Sequence, residues 1–195
     1  MLINLPYTNV DRKIFQIELF GQENLIDSYI RHLGSEFHDV VENTLWFLNV
    51  IIQDSVELRD TFISSPIFLE VMKILRRDLN SLNIIEFTIW LLSTLMKDTT
   101  TTPPEKKVLE CLEASAGYLH VSETSILTQC MWTIYNISSH DEKLPKIYED
   151  IMNSGAVVKL LKINYTRFQI CLSPCLRILG NLCAGRFEIV DVKLL

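Results

Sequence analysis

The stretch ENTLWFLNVIIQD, residues 42–54, places one indole, Trp46, among aliphatic side chains and ends on a carboxylate, Asp54. Its apolar residues return every three or four positions, the period of a helix and not of a strand. Taken alone, a tryptophan in such a helix is core filling. The pattern, however, recurs. FTIWLLSTLMKD (87–98) surrounds Trp90, TQCMWTIYNISSHDE (128–142) surrounds Trp132, and CLSPCLRILGNLCAG (171–185) carries Arg177 in the same slot. These positions lie 44, 42 and 45 residues apart, a period that belongs to helical solenoids of the armadillo and HEAT type.

Each interval holds a three-part pattern. Between Trp46 and Trp90 come SVELRDTFISS, a turn at Pro66, PIFLEVMKILRR, a polar break and the long segment NIIEFTIWLLSTLMK. The next unit reads PPEKKVLE, CLEASAGYLH and ETSILTQCMWTIYNISS; the last reads DEKLPKIYEDIMNS, a turn at Gly155, AVVKLLKI and QICLSPCLRILGNLCAG. A unit of this kind cannot bury its apolar stripe alone, so neighbours must stack. The whole chain, 1–195, is expected to form one all-α domain of about four repeats with a partial repeat at each end. Pro103 and Pro104 sit where a helix starts, and Glu123 and Asp141 lie near helix amino ends, where negative charge is favoured. Pro174 is the local conflict, because inside a helix it removes a backbone donor and should bend or delay the segment around Arg177.

Bulk properties narrow the function. With 195 residues, 48% apolar and 22% charged, the composition is globular. A net charge of −6 argues against a nucleic-acid partner, which requires clustered Lys and Arg. Every apolar run is interrupted before the roughly 18 residues a membrane span needs, and the amino terminus lacks the order of a signal peptide, so an intracellular protein is expected. Five cysteines without a CxxC pair read as reduced structural thiols; Cys171 and Cys175, spaced i, i+4, lack a second ligand pair for a metal. His32, His38, His120 and His140 fall near helix ends or loops, read as surface histidines, with no nucleophile or phosphate loop beside them. No catalysis, metal or cofactor is expected.

Several segments together resemble the armadillo repeats of the importin-α family, over roughly residues 22–187. ENTLWFLNVIIQDSVELRD (42–60), FTIWLLSTLMKDTTTTPPE (87–105) and SPCLRILGNLCAG (173–185) are each similar to the family's repeat segments, the last including Pro174, Arg177, Gly180 and Asn181. The resemblance implies a right-handed superhelix of three-helix repeats in which the four long segments are the third helices of repeats three to six. It also implies that the helix tolerates Pro174. The family's basic importin-β-binding segment has no counterpart before the repeats, which leaves importin-β doubtful as a partner.

In the family, the third helices line a concave groove with Trp followed by Asn four residues later, on one helical face. The amide holds an extended peptide by its backbone, and the indoles form slots for lysine or arginine stems. Carried over, the resemblance assigns peptide binding to Trp46, Asp54, Trp90, Trp132, Asn136, Arg177 and Asn181, with Asp54 where the family pairs a signal lysine. Val50 and Thr94 stand in two of the amide slots, Asn136 where the family has Tyr, and Gln129 where an acid is expected. Other roles remain open: Asn181 could brace helices, and Asp54 could cap the helix that begins SVELRD. The expected function is an adaptor recognising basic nuclear localisation signals of cargo, in the cytoplasm and nucleus; the alternative is an armadillo scaffold for a different partner.

Overall fold

A computed structural model describes residues 23–53, 55–77, 81–97, 103–140 and 144–184. In chain order the helices are α1 (Glu23–Leu33), α2 (His38–Ile52), α3 (Val56–Ser64), α4 (Ile67–Ile74), α5 (Leu82–Leu95), α6 (Glu105–Gly117), α7 (Thr124–Ser138), α8 (Ile147–Asn153), α9 (Ala156–Leu161) and α10 (Leu172–Ala184). Single 3-10 turns precede α7 and α10, at Tyr118–His120 and Gln169–Cys171. No strand occurs among the described residues.

The long helices α2, α5, α7 and α10 pack side by side in that order, each against the next. The stripes that the sequence spaces at three and four become their contact faces. From α5 come Ile84, Ile89, Leu91, Leu92 and Leu95, and from α7 Ile126, Leu127, Cys130, Met131, Ile134 and Ile137, all buried. One cluster of buried side chains runs from Tyr29 to Leu182, so every repeat completes its neighbour's core. Each fully buried Leu or Ile contributes about 1.5–3 kcal/mol of transfer free energy.

Local signals set most of the boundaries. Ser55 and Ser81 cap α3 and α5, accepting from the backbone N–H of Leu58 and Ile84. Pro66 and Pro104 sit at the caps of α4 and α6, and Gly155, with φ of 72°, makes the left-handed turn between α8 and α9. Pro174 falls in the first turn of α10, after a 3-10 turn. It delays the helix there, because the first turn has no intrahelical acceptor for the donor that proline lacks.

One expected break is absent. PPEKKVLE and CLEASAGYLH are expected as two pieces, but α6 runs from Glu105 through Gly117 without interruption. Lys, Glu, Leu and Ala are strong helix formers and nothing between Glu105 and Gly117 stops the helix, so Val108, Cys111, Leu112 and Ser115 share one buried stripe.

The repeats are also fastened by hydrogen bonds that span 43 or 44 residues. Arg77 Nη1 donates to the Leu33 carbonyl at 3.0 Å, Lys107 Nζ to Ile63, and Tyr118 Oη to Leu75 at 3.4 Å. Further along, His140 Nε2 donates to Met96 at 3.0 Å and Lys159 Nζ to Ala116 at 2.7 Å. Each acceptor lies at or just beyond the carboxyl end of a helix in the preceding repeat. Those last carbonyls have no partner within their own helix, and the cationic donors also oppose the negative end of the helix dipole. His140 is therefore buried, at 5% exposure, and corrects the reading of all four histidines as surface residues; His32, His38 and His120 are exposed.

Candidate peptide-binding groove

Trp90 on α5 and Trp132 on α7 face one open cleft of about 320 Å³, lined also by Gln53, Ser93, Thr94, Lys97, Gln129, Tyr135 and Asn136. The i, i+4 spacing sets Thr94 behind Trp90 and Asn136 behind Trp132 along their helices. Both indoles are half-buried, anchored at one edge and open at the other. Trp132 meets Tyr135 edge-on with centroids 5.5 Å apart, and Phe87 supports Trp90 at 6.3 Å. Such a slot suits an alkyl stem between two aromatic walls.

The polar groups of the cleft are partly committed. Thr94 Oγ1 donates to the Trp90 carbonyl of its own helix at 3.1 Å. Asn136 Nδ2 donates to the Ser93 carbonyl at 2.9 Å, joining α7 to α5, while its amide still has a second N–H and an oxygen to offer a ligand. Lys97 brings positive charge, and no carboxylate lines the cleft among the described residues. A lysine side chain entering here would therefore meet aromatic walls and amides but also a like charge.

None of the other described site residues lines this cleft. Trp46, on α2, is 50% exposed, and Gln53, just past the end of the same helix, reaches the cleft itself. Arg177 extends over the Tyr135 ring at 5.8 Å and borders a shallow hollow of about 550 Å³ with Gln169, Leu172, Ser173 and Leu176. Asn181 Nδ2 donates to Ser138 Oγ at 2.8 Å and Ser139 Oγ at 3.4 Å, so α10 is braced to α7 by the role left open for this residue. Asp54 lies outside the described residues.

Sequence reasoning passed over Asn49, one place before Val50. Its side chain is fully buried and Nδ2 donates at 3.0 Å to both Leu45 and Phe87 carbonyls. The amide in α2 thus points into the α2–α5 seam. Lys97, Gln53, Ser93 and Tyr135 were likewise missed, because they are visible as cleft residues only once adjacent helices are aligned.

Cys111, Cys130, Cys171 and Cys175 are free and buried, and Cys183 is free and exposed. Burial raises the Cys111 and Cys130 thiols far above their ordinary range, which keeps them protonated and unreactive. Thr128 Oγ1 lies 3.3 Å from Cys171 Sγ. No cluster of His, Cys, Asp or Glu suited to a metal occurs among the described residues.

No family model matches the chain. It is similar to importin subunit alpha-1b of Oryza sativa subsp. japonica, 24% identical over 164 residues, covering 84% of this chain and 30% of that protein. It is also similar to importin subunit alpha-8 of Arabidopsis thaliana, 22% identical over 165 residues, covering 85% of this chain and 36% of that protein. The chain thus spans about a third of the length of these curated relatives. Among solved structures, the designed armadillo repeat protein YIII(Dq)4CqI superposes with a TM-score of 0.69 at 14% identity, over 95% of this chain and 81% of that one. A second design, YIII(Dq.V1)4CPAF in complex with peptide (KR)4, superposes equally, with a TM-score of 0.69 at 15% identity over the same shares. The chain is an armadillo-repeat solenoid, and the curated proteins it resembles are importin alpha subunits.

Proposed function

We propose that this protein is a peptide-binding adaptor that holds an extended basic segment of a cargo protein, such as a nuclear localisation signal, along α2, α5, α7 and α10. The observation that carries this reading is the cleft between α5 and α7, with Trp90 and Trp132 as walls and Asn136 one turn beyond. Trp46, Arg177 and Asn181 would continue the contact on the neighbouring long helices α2 and α10 of the same repeat domain, and Asp54, by sequence position alone, is proposed as the partner of a ligand lysine. The similarity to importin alpha subunits supports transport of cargo between cytoplasm and nucleus, and the (KR)4 complex of a designed armadillo protein supports a basic ligand. Binding, and no catalysis, is the activity proposed, with no cofactor.

The test is fluorescence anisotropy with a labelled lysine-rich signal peptide at low salt. Expected is saturable binding in the micromolar range that Trp90→Ala and Trp132→Ala each weaken about fivefold, in keeping with roughly 0.5–2 kcal/mol per cation–π contact. Absence of binding at tens of micromolar, or indifference to both substitutions, would sink the proposal.

Lys97 and Gln129 in the cleft, with Thr94 committed to its own helix, favour a second reading: a scaffold whose peptide is not a basic signal. A neutral peptide that binds more tightly than the lysine-rich one, with the same dependence on Trp90, would select it.

A further inference from the structure

A second cleft, of about 310 Å³, lies at the amino end of α7 and shares no lining residue with the groove. Its apolar floor is Leu119, Val121, Leu127, Ile163 and Phe168. Around it stand His120, Lys159, Lys162 and Arg167, all exposed, and no carboxylate lines it among the described residues. Glu123, adjacent in sequence at the cap of α7, is outside the lining. In a chain of net charge −6 with histidine counted neutral, three cations, Lys159, Lys162 and Arg167, and one imidazole around one apolar depression are a local reversal of sign.

The walls are held in place. Lys159 is anchored to the Ala116 carbonyl at 2.7 Å, fastening α9 to α6. His120 donates from Nδ1 to the Gly117 carbonyl at 2.7 Å, which leaves Nε2 for another partner. In the 164–168 turn, Asn164 Oδ1 accepts from the Thr166 N–H at 3.1 Å and the Asn164 carbonyl accepts from the Arg167 and Phe168 N–H groups at 3.1 Å. Arg167 lies over the Phe168 ring at 5.0 Å, which sets its guanidinium beside the floor.

We infer that this cleft is a docking site for an acidic peptide segment, one apolar side chain seated on the floor and flanking carboxylates paired with Lys162 and Arg167. The charge complement selects acidic residues, and Arg167 accepts a carboxylate in bidentate fashion. The apolar floor selects a peptide over a nucleic acid, whose phosphates would gain nothing from Leu119 or Ile163 and would be opposed by the chain's overall charge.

The experiment titrates the full chain with a fluorescein-labelled peptide bearing one phenylalanine between glutamate triplets. A phenylalanine-to-serine version and a single-stranded oligothymidylate of equal charge are run in parallel. Expected is saturable binding at low salt, weakened about tenfold or more by the exposed double reversal Lys162→Glu/Arg167→Glu and less by Lys162→Ala/Arg167→Ala, with Trp90→Ala unchanged. Loss of the phenylalanine should weaken binding severalfold. Circular dichroism checks that the variants stay folded, and the alanine pair carries the test if the reversal does not. The inference is overturned by no binding at hundreds of micromolar, by binding indifferent to both double variants, by a loss shared with Trp90→Ala, or by tighter binding of the oligothymidylate. Basic-peptide binding at the groove is scored separately by Trp90→Ala, so either site can fail alone.

Discussion

At the scale of single residues, Lys97 is the one charged side chain lining the α5–α7 cleft among the described residues. Two indole walls accept any alkyl stem, whereas an ammonium beside them discriminates by charge. Lys97→Glu is therefore expected to tighten a lysine-rich peptide about fivefold at low ionic strength, an effect that fades by 0.5 M salt; anisotropy titrations at two salt concentrations measure it. Spacing alone marks Trp46, Trp90 and Trp132 as one bulky residue per repeat, and Trp90 and Trp132 do share a cleft while Trp46 stands half-exposed on α2; their ligand role came from the family resemblance. Lys97 was not readable, since a lysine at a helix end is indistinguishable from solvated surface until the adjacent helix is placed. Asp150 offers a second test. Burial, then the nearby charges of Glu105 and Glu149, raise its carboxyl above the ordinary range, and Lys146 offsets this in part. A carboxylate raised in the folded state costs stability once pH exceeds its folded value and costs nothing below its unfolded value of about 4. Asp150→Asn should accordingly raise Tm by about 1 °C at pH 7, with the gain vanishing below about pH 4, as followed by thermal melts across pH.

At the scale of elements, the carboxyl ends of helices are closed by the repeat that follows. Lys107 joins α6 to the Ile63 carbonyl of α3 and lies 5.0 Å from the Phe68 ring. Lys107→Met keeps the stem and removes the donor, so a loss of about 1–2 kcal/mol is expected in urea unfolding. Asn49→Ala, in the α2–α5 seam, should cost about 1 kcal/mol by the same measurement, since the Leu45 and Phe87 carbonyls lose a second donor while keeping their helical one, and the loss is offset in part by removal of the buried, unpartnered Oδ1. Prolines and glycines made several boundaries readable beforehand: Pro66, Pro104, Gly155 and the delayed start at Pro174 follow from backbone chemistry. The continuity of α6 was hidden because the repeat pattern suggested a break that its strong helix formers do not supply. Asn49 was hidden for another reason, since a one-residue difference along a helix turns a side chain by about 100° and sends it from groove to seam.

At the scale of the whole molecule, stacking makes stability a sum of neighbouring interfaces, and thiol reactivity reports it. Cys183 is exposed, while Cys111 in α6, Cys130 in α7, Cys175 in α10 and Cys171 in the 3-10 turn before α10 are buried. One thiol should react with Ellman's reagent at once in native buffer and the other four only as denaturant opens the repeats; four or five reacting immediately would refute this packing. The clasps between repeats carry a further meaning for how such a chain changes over time. In each of the five pairs from Arg77 to Lys159 the donor is a side chain, but the receiver is a main-chain oxygen. Every amino acid supplies that oxygen, so the hydrogen bond itself does not depend on which side chain the accepting position carries, although Leu33, Ile63, Met96 and Ala116 are also core residues. The exposed surface of one repeat can thus change while the next keeps its grip, provided the buried stripes that the stack shares are kept.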